Sequence, residues 1–256
     1  MQQPTADSRQ PIADMRYALI SDIHSNLEAL QAVLKELSGE NIDRYLCVGD
    51  VVGYGADPKE CIKLLRSLSC EVVIAGNHDW AAVELTDTSS FNEAARAAIM
   101  WTKGVLGKGE NEFLRSLSLT YGAHDMTLVH GTLDAPEEFQ YVLSPYEAYA
   151  TIKLQQTTLC VVGHSHVAEI YSSDGKTVEH TTRPMLKIDH AKKYVINVGS
   201  VGQPRDGNPK ASYAVYDDAQ KTIDIKRVEY DIEKAKDKIL KAGLPRWLAD
   251  RLSEGR

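Results

Sequence analysis

An α/β fold is predicted for this chain by two features of its apolar patterning. In the first third, short apolar runs and amphipathic stretches alternate as β-α-β-α-β, an order that calls for parallel pairing with right-handed crossovers. From Ala168 onward the signal becomes mainly β. With 256 residues, 43% hydrophobic and 25% charged, the chain can bury a core of this kind, and wholesale disorder is excluded.

Residues 17–21 read as a short buried strand. A helix over about 26–37 follows, because Leu27, Leu30, Val33, Leu34 and Leu37 share one face and Gly39 closes it. Residues 45–48 form the next strand. Asp57 as N-cap and Pro58 at the first helical position open a helix through 67, and 72–75 is the third strand. The stretch 92–117 is helical, with a joint at Gly104, Gly107 and Gly109. Then come a strand at 127–129, a helix at 145–154 and a strand at 159–162. Further strands are expected at 170–172, 178–181, 185–188, 194–198, 213–216 and 223–228, with Asp174-Gly175 as a turn between two of them. A last helix spans about 231–240, and the charged end 246–256 is expected at the surface. Residues 1–14 are polar and proline-containing, with no apolar h-region, so they read as a loose tail. No repeat, linker or low-complexity segment divides the rest, and residues 15–256 read as a single domain.

Charge and cysteine usage narrow the function. Lys+Arg number 29 against Asp+Glu 36, a net charge of −7, whereas a protein that coats nucleic acid or anionic membrane is normally basic. No apolar run approaches the roughly 18 residues of a membrane span. Cys47, Cys61, Cys70 and Cys160 show no C-x-x-C spacing, and Cys47 and Cys160 lie within strand-like runs. They read as reduced core thiols of a cytoplasmic protein rather than a disulfide or zinc framework.

Five short polar motifs fall immediately after predicted strands: Asp22-Ile23-His24, Gly49-Asp50, Gly76-Asn77-His78-Asp79, His130-Gly131 and Gly163-His164-Ser165-His166. In open α/β sheets the carboxyl ends of strands share an edge, so residues far apart in sequence converge there. Singly, each motif has a bland explanation: a helix cap beside a surface histidine, a turn, a loop, a satisfied core histidine. Jointly they do not, since a packing role wants apolar or turn residues where these positions are rich in oxygen and imidazole. Five of the eight histidines lie in these motifs, while His124, His180 and His190 do not.

In this order the motifs resemble the signature of the calcineurin-like metallophosphoesterase superfamily, D-x-H, G-D, G-N-H-[DE], H and G-H-x-H, with no substitution. Asn197-Val198-Gly199-Ser200 and Pro204-Arg205 resemble the closing segment of its small bacterial and archaeal phosphodiesterase branch. The resemblance implies a four-layer α/β/β/α sandwich of two mixed sheets flanked by helices, and a binuclear metal centre. It implies that Asp22, His24 and His166 hold one ion, that Asn77, His130 and His164 hold the other, and that Asp50 bridges them. Such mixed N/O ligation without thiolate suits Mn²⁺ first, with Fe or Zn²⁺ as alternatives, and disfavours Mg²⁺. Two divalent ions outweigh the two carboxylates by two positive charges, which draws hydroxide and phosphate esters to an otherwise acidic protein. The chemistry implied is attack on phosphorus by a hydroxide that bridges the metals.

His78 is assigned to no metal, which leaves it to stabilise transition-state charge or protonate the leaving oxygen. Asp79 reads as a helix N-cap rather than as the partner that orients His78. Tyr54, between Gly53 and Gly55, reads as an ordinary turn beside a possible substrate contact. Arg205 is the candidate phosphate clamp. Trp80, Phe91 and Trp101, within the insertion 80–127, read as packing for its helices rather than a base-stacking platform. The function expected is hydrolysis of small phosphate diesters. A phosphomonoesterase or protein Ser/Thr phosphatase, a dinucleoside polyphosphate hydrolase, and a non-enzymatic interaction scaffold on the same fold are the alternatives. Long nucleic acid and membrane are not expected partners, and the sequence leaves the oligomeric state open.

Overall fold

The computed structural model describes residues 15–68, 72–123 and 125–256, so the expected tail 1–14 and Cys70 lie outside the described residues. In chain order, β1 (Arg16–Ile20), α1 (Leu27–Leu37), β2 (Arg44–Cys47), α2 (Pro58–Ser67) and β3 (Val72–Val73) make the alternating first third. Next come α3 (Asn77–Ala82), α4 (Glu93–Val105), α5 (Lys108–Arg115), β4 (Thr120–Ala123), β5 (Met126–Val129), α6 (Pro145–Leu154) and β6 (Leu159–Val162). The β-rich remainder is β7 (Ala168–Ser173), β8 (Val178–Thr181), β9 (Met185–Lys187), β10 (Lys193–Val198), β11 (Ala211–Asp217) and β12 (Thr222–Val228). It is followed by α7 (Ile232–Lys241) and α8 (Arg246–Asp250).

The strands form two six-stranded mixed sheets, ordered β3-β2-β1-β11-β12-β9 and β4-β5-β6-β10-β7-β8. β1, β2 and β3 run parallel, as do β5, β6 and β10. The period-2 alternation within single strands builds the layers. In β1, Tyr17 and Leu19 face the other sheet and meet Leu128, Val161 and Ile196, while Ala18 and Ile20 face Leu30 and Val33 of α1. In β6, Leu159 and Val161 enter the inter-sheet core, while Cys160 and Val162 pack with Ala148 and Ile152 of α6. The result is the expected α/β/β/α sandwich. Each fully buried Leu or Ile in it is worth about 1.5–3 kcal/mol.

Helix ends follow the local chemistry, with corrections to the expected reading. Asn26 caps α1 by accepting the Ala29 N–H at 3.1 Å, and Asn92 caps α4 by accepting that of Ala95 at 2.9 Å. Asp57 precedes α2 but makes no capping hydrogen bond; its carboxylate takes Lys238 of α7 at 2.8 Å instead. The expected Gly104–Gly109 joint is narrower: Gly104 lies inside α4, and Gly107 precedes α5, where Glu110 accepts its N–H at 2.9 Å. Three elements were not expected, the one-and-a-half-turn α3, the edge strand β4 and the short helix α8. The charged C-terminal end is not all surface. Leu248, Ala249 and Leu252 are buried against Tyr54, Ala95, Ala98 and Ile239.

Candidate metal centre

Every motif sits just beyond the carboxyl end of a strand: 22–24 after β1, Asp50 after β2, 77–79 after β3, His130 after β5 and 164–166 after β6. Reaching a common point requires abrupt backbone turns. Asp22, His24, Asp50, His164 and His166 have φ of +52°, +49°, +53°, +67° and +61°. Left-handed backbone at non-glycine residues costs on the order of 1–3 kcal/mol each and gathers at functional sites. Two glycines of the motifs are explained by close approach. A Cβ on Gly76 would collide with the Asp50 carboxylate, and one on Gly163 with Ser21 and Asp22.

Seven of the side chains singled out from sequence converge. Asp22, His24 and His166 form one group whose ligand atoms lie within 4.8 Å of one another, and Asp50, His130 and His164 form a second. A third group, His24, Asp50 and His78, overlaps both. Asp50 stands between the groups: its Oδ2 is 3.5 Å from His24 Nε2 and 3.3 Å from His130 Nε2, while its Oδ1 accepts the His78 N–H at 2.8 Å. Asp22 Oδ2 accepts the His164 N–H at 3.0 Å, which leaves Oδ1 buried without a hydrogen bond, 3.2 Å from His166 Nε2.

The histidine tautomers follow from their outer partners. Nδ1 of His24, His130 and His166 meets the main-chain oxygen of Val52, Val48 and Gln203 at 3.1, 2.7 and 2.6 Å. A carbonyl only accepts, so each Nδ1 carries the proton, and in the neutral ring the Nε2 lone pair points inward. Nε2 of His24 and of His166 then face each other at 3.0 Å, and Nε2 of His130 is buried without a partner. The side-chain oxygen of Asn77 is also buried and unpartnered. Inward lone pairs, a bare carboxylate oxygen and a bare amide oxygen, nearly all buried, are costly unless they share a cation. The donor set fits a divalent metal centre.

The electrostatics agree. Burial pushes both carboxyl groups up, yet His166 and His130 hold Asp22 well below its ordinary range, and His130 and His78 do the same for Asp50. Burial would lower His130, but Asp50 and Asp22 raise it to about 9. His164 falls to about 3 through burial and then the charge of His130, and His166 to about 3 through burial and then Arg205. The edge concentrates enough negative potential to hold a positive charge, which a bound cation would supply in place of the second His130 proton.

The surrounding residues set these side chains in place. Asp79 is the third residue of α3, not its N-cap, and its carboxylate accepts the N–H groups of Gly76 and Val52, each at 3.1 Å, tying two ligand loops together. Burial and then Asp50 push it up to about 7. Asn197 donates to the Gly163 oxygen at 2.7 Å and to Ser165 Oγ at 2.8 Å, and Ser200 Oγ donates to the Asp22 oxygen at 2.7 Å. The 197–205 segment thus braces both the first and the last motif.

His78 is 4% exposed, and burial holds its pKa well below the ordinary value. Its ring lies 4.4 Å from that of Tyr54 and 4.8 Å from that of Phe91. Tyr54 is therefore more than a turn: it is 6% exposed, and its hydroxyl accepts from Arg205 at 3.3 Å. Phe91 and Trp101 also pack among the helices, as expected, while Trp80 meets Phe139 edge-on at 5.6 Å. Tyr141 escaped the sequence reading because no motif marks it; it stacks on His164 at 3.8 Å and is 43% exposed. His180 and His190 lie elsewhere, paired with Glu169 and Asp125.

Comparison with known proteins agrees with this fold and edge. Residues 15–221 match the calcineurin-like phosphoesterase superfamily domain, and the chain belongs to that superfamily. It is 43% identical over 243 residues to an uncharacterized protein of Methanocaldococcus jannaschii, covering 93% of this chain and 98% of that one. A metallophosphoesterase from Sphaerobacter thermophilus, 37% identical, superposes with a TM-score of 0.84 over 94% of this chain and 99% of its own. A hypothetical protein from Pyrococcus horikoshii OT3, 22% identical, shares the fold with a TM-score of 0.77 over 94% of this chain and 99% of its own.

Proposed function

We propose that the chain is a hydrolase of small phosphate diesters that works with two divalent ions, Mn²⁺ before Fe or Zn²⁺. Asp22, His24 and His166 would hold one ion and Asn77, His130 and His164 the other, with Asp50 between them. The observation that carries this reading is the set of inward Nε2 lone pairs, locked from behind by main-chain carbonyls around two buried carboxylates. An interaction scaffold has no physical need for such an arrangement.

Two bound ions supply Lewis-acid charge and make a potent nucleophile available near neutral pH. The chain's own residues supply the rest. His78, with its backbone fixed by Asp50 and its ring between Tyr54 and Phe91, offers an imidazole to the phosphoryl oxygens or to the departing oxygen. Arg205 is the substrate-binding cation. Tyr141 offers an exposed aromatic face beside His164. The net charge of −7 favours small esters over long nucleic acid. Among the described residues no helix is long and apolar enough to cross a membrane. A cytoplasmic setting is part of the same reading, supported by Cys47, Cys61 and Cys160 being free and buried.

The test is metal analysis after gentle purification, paired with hydrolysis of bis(p-nitrophenyl) phosphate before and after chelation. About two transition-metal ions per chain, and loss of activity on chelation, are expected. Full activity in a verified metal-free sample would refute the proposal.

A further inference from the structure

The connection between β5 and α6 is shaped to carry one aromatic ring onto the candidate centre. Gly131, the residue after His130, lets that connection pass close: a Cβ there would lie 2.5 Å from the main-chain oxygen of Gln140. Ala135 and Phe139 flank a single 3₁₀ turn over Pro136–Glu138 in left-handed backbone, at φ of +46° and +50°. Neither residue type takes this conformation readily, and such strain persists where the surroundings over-determine the path. Phe139 anchors the connection edge-on against Trp80 and His130, at 5.6 and 6.1 Å between ring centres. Val142 anchors it among Val129, Ala148 and Ile152. Tyr141 lies between these two anchors, and its ring stacks on that of His164 at 3.8 Å with 17° between the planes.

Tyr141 is held in place yet left uncovered. It is 43% exposed, whereas Phe139 and Val142 are 7% and 4% exposed. With one face of the ring closed by His164, the exposed area lies on the opposite face and the edges. Among the described residues, no hydrogen bond and no second ring engages its side chain. A ring already fixed in position loses little further freedom when a flat group is laid on it, so the stacking gain is kept. A second ring in van der Waals contact with that face lies about 7–8 Å from the His164 ring, within the span of one pentose between a phosphate and its base. One such ring on an acidic chain suits a single nucleotidyl group. A run of stacked bases along a polymer takes a basic groove and several rings.

We propose that Tyr141 is a specificity-determining residue that stacks on the nucleobase of the substrate while the phosphoryl group lies at the candidate centre. The substrate class is then a small phosphate diester with a nucleoside among its two ester groups. This rests on the diesterase reading for the cleaved bond and names a group which that ester carries.

Two measurements on metal-loaded protein test it. Calorimetry compares adenosine 5′-monophosphate with ribose 5-phosphate, which share the phosphate and the sugar and differ by the base. The wild type should bind the nucleotide about fivefold or more tightly than the sugar phosphate. Tyr141→Ala should abolish most of that preference, and Tyr141→Trp should keep it. Equal affinities in the wild type, binding of neither compound, or a preference that survives in Tyr141→Ala overturns the proposal. Kinetics then compares thymidine 5′-(p-nitrophenyl phosphate) with methyl p-nitrophenyl phosphate, which have the same leaving group. The wild type should favour the thymidine ester through KM, and Tyr141→Ala should shrink that ratio about fivefold or more. An equal loss on both esters, through kcat or through metal content, would reduce Tyr141 to a support for His164 and also overturns it. Failure to cleave either ester counts against the diesterase reading, while the calorimetry still decides the stacking.

Discussion

Strand β1 from Tyr17 onward and the five residues after it are consecutive in sequence, buried throughout, and built on opposite terms. Ala18, Leu19 and Ile20 are fully buried in extended backbone, and their apolar side chains fill the two faces of the sheet. Asp22, His24 and Ser25 are almost equally buried, yet all three adopt left-handed backbone, and a carboxylate oxygen of Asp22 and the Ser25 hydroxyl have no hydrogen-bond partner. The strand lowers the free energy of the fold by burial, while the loop carries backbone strain and unpartnered polar atoms. A loop of this kind persists because the sheets beneath over-determine its path and because its polar atoms have a use that folding alone does not supply.

That contrast breaks most sharply at Asp50. Asp50→Asn keeps the oxygen that receives the His78 N–H but removes the charge shared by the two ligand groups. Turnover of bis(p-nitrophenyl) phosphate should fall by more than about 10³-fold. The melting temperature of the chelated protein should fall, because His130 loses the buried carboxylate that raises its pKa. Retention of both metals with near-normal kcat would show that the bridge is misplaced.

His78 is the residue proposed to act on substrate, beside others proposed to hold metal. His78→Ala should leave metal content nearly unchanged while turnover drops by roughly 10²–10⁴-fold for alkyl or nucleoside leaving groups. The loss should be smaller for p-nitrophenolate, which needs little protonation, if the ring acts as proton donor, and similar for both classes if it stabilises phosphoryl oxygens. Loss of metal along with activity would assign His78 to the ligand set through its group with His24 and Asp50.

Leu19→Ala sharpens the comparison from the other side. Leu19 is fully buried between the sheets, so truncation should cost about 2–5 kcal/mol in denaturant unfolding. Metal content per folded chain should not change. A variant with normal stability but depleted metal would mean that core and edge are not separable in this way.

Much of this division was legible in the sequence, because each candidate ligand lies within four residues of a strand whose apolar run is easily read. The hidden parts depend on long-range contact or on misleading local chemistry. Tyr54 and Arg205 are 151 positions apart and meet only after both loops fold over the edge. Tyr141 reaches His164 from a connection with no sequence marker. Asp79 has the right chemistry for a cap but works from the third helical position, because Gly76 takes the cap itself. The C-terminal end reads as surface because its charged residues mask Leu248, Ala249 and Leu252, whose spacing places them together on one helical face.

The central claim is that two ions share the Asp50 carboxylate at this edge. Anomalous diffraction from crystals of Mn²⁺-loaded protein tests it most directly. Two peaks are predicted, one against Asp22, His24 and His166 and the other against Asn77, His130 and His164, with Asp50 beside both. A single peak, or a peak coordinated by the ring of His78, would contradict the account.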